Sequence, residues 1–135
     1  MINGLVHGHE GLAYLLLLSA TVSLGLAVAN AALGSRAGLV KAGVVLGRRV
    51  EPALMGIIGL LGLGAWVAVG FPITTVYLWL GVLAVVAQGA LVGMGTKPVL
   101  VKLADGDTSV RWRWPVTAGL NAALVYGIFG IMHAN

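Results

Sequence analysis

The chain has 135 residues, of which 59% are hydrophobic and 9% charged, with no cysteine and a formal net charge of +4. A soluble domain carries about a quarter charged residues, so this composition excludes a soluble catalytic module and points to an integral membrane protein that is not an enzyme. Zero cysteine removes disulfides, thiolate metal sites, thiol catalysis and cysteine-attached haem, and the basic balance reads as a topological signal, with no nucleic acid among the expected partners.

The first element is announced by VHGHEGLAYLLLLSA, where His7, His9 and Glu10 stand directly before an apolar run at residues 12–33. A helix needs about 20 apolar residues to cross a hydrocarbon core about 30 Å thick, and this run is long enough. No basic region precedes it, so it reads as a retained helix and not as a cleaved leader. Thr21, Gly25 and Ala29 form a small-residue stripe along it, which in lipid permits close approach of a second helix.

Residues 34–51 carry Arg36, Lys41, Arg48 and Arg49 and read as a loop, with a short surface helix in AGLVKAGVVLGRRV whose cations share one face. A second apolar run occupies residues 52–69, opening at Pro52, which is tolerated in a first helical turn. Gly56, Gly59, Gly62 and Gly64 crowd it. The break at Gly70, Phe71 and Pro72 is so short that the third run, residues 73–95 with Gly89 and Gly93, must be an antiparallel neighbour.

Residues 96–114 form the second expected loop and carry Lys97, Lys102, Arg111 and Arg113. Within it, Asp105-Gly106-Asp107 predicts a turn, and Arg111, Trp112, Arg113 and Trp114 predict an interfacial anchor. The fourth run covers residues 115–132, with Gly119, Ala123 and Gly127 along it, and His133 follows.

All eight lysines and arginines fall in the two long loops. The positive-inside rule puts those loops in the cytoplasm and both chain ends outside. The expected fold is therefore a single domain over residues 1–135: an all-α, multi-pass inner-membrane protein of four transmembrane helices, an antiparallel up-and-down bundle with N-out/C-out orientation, surrounded by lipids.

Two groups of residues invite chemistry. Asn30, Gln88 and Asn121 fall at similar depth in the cytoplasmic half of three runs, where they serve as interhelical hydrogen-bonding glue or as a polar ligand or proton-relay site. No Asp, Glu, Lys, Arg or His lies inside any of the four runs as bounded here, which argues against a small dimeric transporter. The second group gathers outside: His7, His9, Glu10 and His133 as metal ligands, or His7, His9, His133 and Met132 as ligands of copper(I) or haem. The same residues also fit polar trim at a membrane surface or contacts with a partner subunit. With no histidine inside a run, a haem held by two histidines in the bundle core of one chain is not expected. Tyr14, Trp66, Phe71, Tyr77, Trp79, Tyr126 and Phe129 favour the outer half, as an interfacial belt or a platform for a flat cofactor.

The histidine heading the first run in HGHEGLAYLLLLSATVSLGL, the basic segment entering a glycine-rich second run in RRVEPALMGIIGLLGLGAW, and YLWLGVLAVVAQGAL as a third run together resemble the small four-helix membrane proteins of the copper-resistance D and HemJ/SirB groups. The resemblance covers most of the chain. It implies copper or haem handling, or porphyrinogen oxidation, at the cytoplasmic membrane, with His7 or His9 in the position of the first-helix histidine.

The functional expectation is a small non-catalytic subunit packed against other integral membrane subunits of a larger respiratory or photosynthetic electron-transfer complex. It follows from the tiny extramembrane mass and the small-residue faces on every run. The alternative is a periplasm-facing metal- or haem-binding membrane protein.

Overall fold

The computed structural model describes residues 2–133. Among them are four long helices and no strand: α1 (Ile2–Ala32), α2 (Ala37–Val69), α3 (Val76–Ala104) and α4 (Arg113–His133). All four are long and apolar enough to cross a membrane.

Helices α2 and α3 reach far beyond the apolar runs. The segments expected as loops at 34–51 and 96–114 are helical over most of their length, leaving connections of four residues after Ala32 and eight after Ala104, the latter with a short 3-10 turn at Thr108–Val110. At 1.5 Å per residue, α2 is about 50 Å long and α3 about 44 Å, both longer than a hydrocarbon core of about 30 Å. Pro52 and Pro98 consequently lie inside helices, and the expectation that Pro52 opens one is corrected; Pro115 does lie in the first turn of α4.

An interior proline lacks an N–H, and its ring crowds the carbonyl four residues back. The chain answers both times with a wider turn. Leu46–Val50 and Leu91–Thr96 are π-helical, and the residue before each proline donates five residues back, Glu51 to Leu46 and Lys97 to Val92. The two stretches share a pattern, Leu-Gly-Arg-Arg-Val-Glu-Pro and Val-Gly-Met-Gly-Thr-Lys-Pro. A four-residue step overshoots a full α-helical turn by about 40°, and a π turn rewinds that drift. Residues four apart therefore stay inward together: Gly43, Gly47, Glu51 and Met55 on α2, and Gln88, Val92, Thr96 and Leu100 on α3 are all buried.

Helix α1 is the hub, packing on both α2 and α4. Toward the basic end, Trp114, Leu100, Leu103, Val40, Ala27 and Ala118 form one cluster. Toward the opposite end, Leu16, Leu17, Ala20, Met55, Ala122 and Val125 form another. Trp114 is 1% exposed, because Gly43 and Gly47 leave a trough on α2 that its indole and Leu100 fill. The expected interfacial anchor is thus halved: Trp114 is core, and Trp112 stays exposed with the Arg111 guanidinium 6.0 Å from its ring centroid.

The connections are closed locally. Gly70 ends α2 in the left-handed region at φ +73 and donates to the Trp66 carbonyl. The Trp66 and Trp79 indoles donate to the carbonyls of Phe71 at 2.7 Å and Ile73 at 2.8 Å, tying that turn from both sides. Asp105-Gly106-Asp107 is a turn, with Gly106 at φ +91. There the Ser109 hydroxyl and amide donate to Asp107 and hold its carboxyl below the usual range.

Candidate functional site

Glu51 is 2% exposed and Asn121 is 3% exposed. The Asn121 amide donates from Nδ2 to Glu51 Oε2 at 3.3 Å, and the buried Ser23 of α1 lies near the same carboxyl. Three helices therefore converge on one acid. Glu51 is inward because it continues the stripe of Gly47 and Met55, and the π turn keeps it in line. Counted back from the end of α2 at Val69, it lies about 27 Å down the helix, within a length comparable to a hydrocarbon core of about 30 Å.

This corrects two expectations. Glu51 belongs to a membrane-length helix and not to a loop, and the statement that no ionisable group lies in the runs holds only for their narrower bounds. The argument it carried against transport falls with it. A charge in such a setting normally has a partner, yet among the described residues no basic side chain pairs with Glu51; both ion pairs found involve Glu10. Arg48 and Arg49, one turn earlier on the same helix, are exposed.

The expected polar trio is buried as a group but divides its work. Asn121 pairs with Glu51. Asn30 holds the turn after α1, its Oδ1 accepting the Arg36 amide at 3.0 Å. Gln88 is buried on α3 beside Gly89, which faces Met55. Thr96 lies against Gly47, one turn from Glu51 toward the basic end. Glu51 Oε1, Asn121 Oδ1, Gln88 Nε2, and the hydroxyls of Ser19 and Thr96 are buried without a hydrogen-bond partner. Sequence reasoning missed Glu51 and Ser23. The available signal was the inward sequence of Gly43, Gly47, Glu51, Met55, Ile58 and Gly62, which crosses the supposed loop boundary without a break.

At the other end of the bundle, the first and last helices meet. His133 lies 3.8 Å from Glu10, and His7 4.0 Å from Glu10 on its other side. The Tyr14 hydroxyl is 3.2 Å from His133 Nε2, and Phe129 stacks on the His133 ring with centroids 4.3 Å apart. His9 is turned away, because residues two apart on a helix face opposite sides: its Nδ1 meets the Ile58 carbonyl at 3.1 Å, and its ring covers Gly62. Met132 points its methyl toward Gly81 on α3. The structure therefore gathers His7, Glu10 and His133 on one rim and places His9 and Met132 elsewhere. Among the described residues no three His, Cys, Asp or Glu side chains form a group able to hold a metal ion.

Comparisons with known protein families, with curated proteins and with solved structures give no match. Fold and site define a class: a bundle of four membrane-length helices built around a buried acid–amide pair, with a histidine-bearing rim at the end opposite its cations.

Proposed function

We propose that the chain is a non-catalytic, multi-pass subunit of the cytoplasmic membrane, oriented N-out/C-out, that packs against other integral membrane subunits of a larger complex. The observation that carries this reading is the direction of the glycines on α2. Gly56, Gly59 and Gly64 have nothing within 4 Å of where a side chain would begin, so they do not serve packing within the chain. Gly56 and Gly64 flank an outward face with Leu60, Leu63 and Val67, all three of which are exposed, and Gly59 lies at its edge. Small residues on a membrane helix permit close backbone approach by another helix, and a glycine otherwise costs helix stability, about 1 kcal/mol relative to alanine. The expected class of partner, a respiratory or photosynthetic electron-transfer complex, is read from the identity of copurifying subunits.

Blue-native electrophoresis of gently solubilised membranes tests the reading. A large complex is expected, and Gly56→Leu, Gly59→Leu and Gly64→Leu combined should release the chain from it without lowering its own thermal stability. A chain that migrates only as a monomer or small homo-oligomer would overturn the proposal.

A second reading, a periplasm-facing metal- or haem-binding protein, takes its motive from the rim, where Glu10 meets both His7 and His133, and needs a further ligand, since these three do not by themselves form a group able to hold a metal ion. Elemental analysis and a visible spectrum of the purified protein decide it. Absence of both bound metal and a Soret band eliminates it.

A further inference from the structure

We infer that Glu51 is a proton-binding site: the carboxyl carries a proton in the folded bundle, forms a two-bond acid–amide ring with Asn121, and exchanges that proton with the basic end of the molecule. The unpartnered atoms point to this. Asn121 Nδ2 donates to Glu51 Oε2, which leaves Glu51 Oε1 and Asn121 Oδ1 as two buried acceptors with no donor between them. Two acceptors on the same two side chains are satisfied together by one hydrogen on Oε1, donated to Oδ1. A carboxylic acid and a primary amide pair in this way, each donating once and accepting once.

Charge favours a proton at this site. Ionised, Glu51 would be a buried anion without a cation, which is far more expensive than a neutral acid. The groups near it are uncharged: Ser23 from α1 and Asn121 from α4, while α3 passes with Thr96 against Gly47 and Gly89 facing Met55; on its own helix Arg48 and Arg49 are exposed. Two grooves lie elsewhere, one between α3 and α4 along Leu83, Ala87 and Leu124, the other around Lys102 and Trp112. A proton needs no cavity. Its uptake forms one O–H bond on Oε1 as one O–H bond of hydronium breaks and releases water, its release is the reverse, and neither requires another reactant. Thr96, with a buried hydroxyl lacking a partner, lies on the side of Glu51 facing the basic end. Glu51 thus supplies the intramembrane proton carrier that proton-linked membrane proteins use.

Infrared spectroscopy of the full chain in an ester-free detergent tests this. The other three of the four acidic side chains, Glu10, Asp105 and Asp107, are exposed, so the Glu51→Gln variant assigns any protonated-carboxyl band that belongs to the buried acid. In mildly alkaline buffer, wild type should keep a protonated-carboxyl carbonyl band that shifts in deuterium oxide. The band should move in Asn121→Leu and vanish in Glu51→Gln, whose amide can form the same ring. If a variant fails to fold, the wild-type band alone decides, because a buried carboxyl exchanges in deuterium oxide more slowly than the three exposed ones. Absence of the band overturns the inference, as do carboxylate bands that respond to added sodium, which would assign the site to a metal cation.

Discussion

The Trp114 indole lies in the space a side chain at residue 43 would occupy. A methyl group on Gly43 would collide with the edge of that ring, and Leu100 would be 3.3 Å away. Trp114 is almost completely buried among Val40, Leu100 and Leu103, so it has nowhere to retreat. Gly43→Ala should therefore destabilise the protein by about 1–3 kcal/mol, the usual range for overpacking a core, despite the better helix propensity of alanine. Gly38→Ala, a few residues earlier on the same helix with nothing within 4 Å, should be neutral or stabilising by up to about 1 kcal/mol. Thermal unfolding in detergent compares them. Equal effects of the two substitutions would show that α2 does not meet α4 through this trough.

The acid–amide pair predicts a sign reversal. Removing one member leaves the other buried and unmatched, at a cost of about 1–3 kcal/mol, so Asn121→Leu and Glu51→Leu should each lower stability. Replacing both by leucine removes every unmatched atom of the pair, and such exchanges are often neutral or stabilising. The double variant should thus be more stable than either single one, with a coupling of about 0.5–3 kcal/mol for residues in direct contact. Strict additivity in chemical unfolding would mean that the two side chains do not meet.

The parts of this architecture that were legible from sequence are those written in long, repeated signals. Four membrane-length apolar helices follow from composition and run length, and the Gly70 and Gly106 turns from residues that tolerate positive φ. The meeting of Glu10 with His133 was anticipated from the even number of runs, because first and last helices of such a bundle are commonly neighbours. What escaped was set by packing across distance in the chain. The cations on residues 36–49 and 97–113 make those segments look like loops, yet their opposite faces carry Val40, Gly43, Leu100 and Leu103, which are buried. Trp114 reads as an anchor because it neighbours two arginines, and only its juxtaposition with Gly43, seventy-one positions away, makes it core. Glu51 was assigned to a loop because it precedes a proline, and the wide turn that lets a helix carry proline in its interior leaves little trace in composition.

The two N-terminal histidines should respond oppositely to substitution. His9 hydrogen-bonds the Ile58 carbonyl and covers Gly62, so His9→Ala removes a bond, worth about 0.6 kcal/mol on average inside membrane proteins, together with its packing. The side chain of His7 is 77% exposed, and His7→Ala should leave stability unchanged. A lowered melting temperature for His9→Ala alone is the expected result. If His7→Ala is the damaging change, the rotation of α1 described here is wrong by half a turn.

Chain ends provide a test that separates fold from orientation. Tyr14 on α1 and His133 at the close of α4 are 3.2 Å apart, so reporters fused at the two ends must report the same side of the membrane, whichever side that is. Which side it is rests on a different fact: all eight lysines and arginines belong to the opposite end of the bundle, and cytoplasmic segments near membrane helices accumulate such residues. A periplasm-active phosphatase should therefore be active at both ends, and a cytosol-only fluorescent protein dark at both. Reporters that disagree with each other would break the pairing of α1 with α4. Two reporters that agree on the cytosol would leave the bundle intact and invert it, placing His7, Glu10 and His133 inside the cell and the Glu51 proton within reach of the outside.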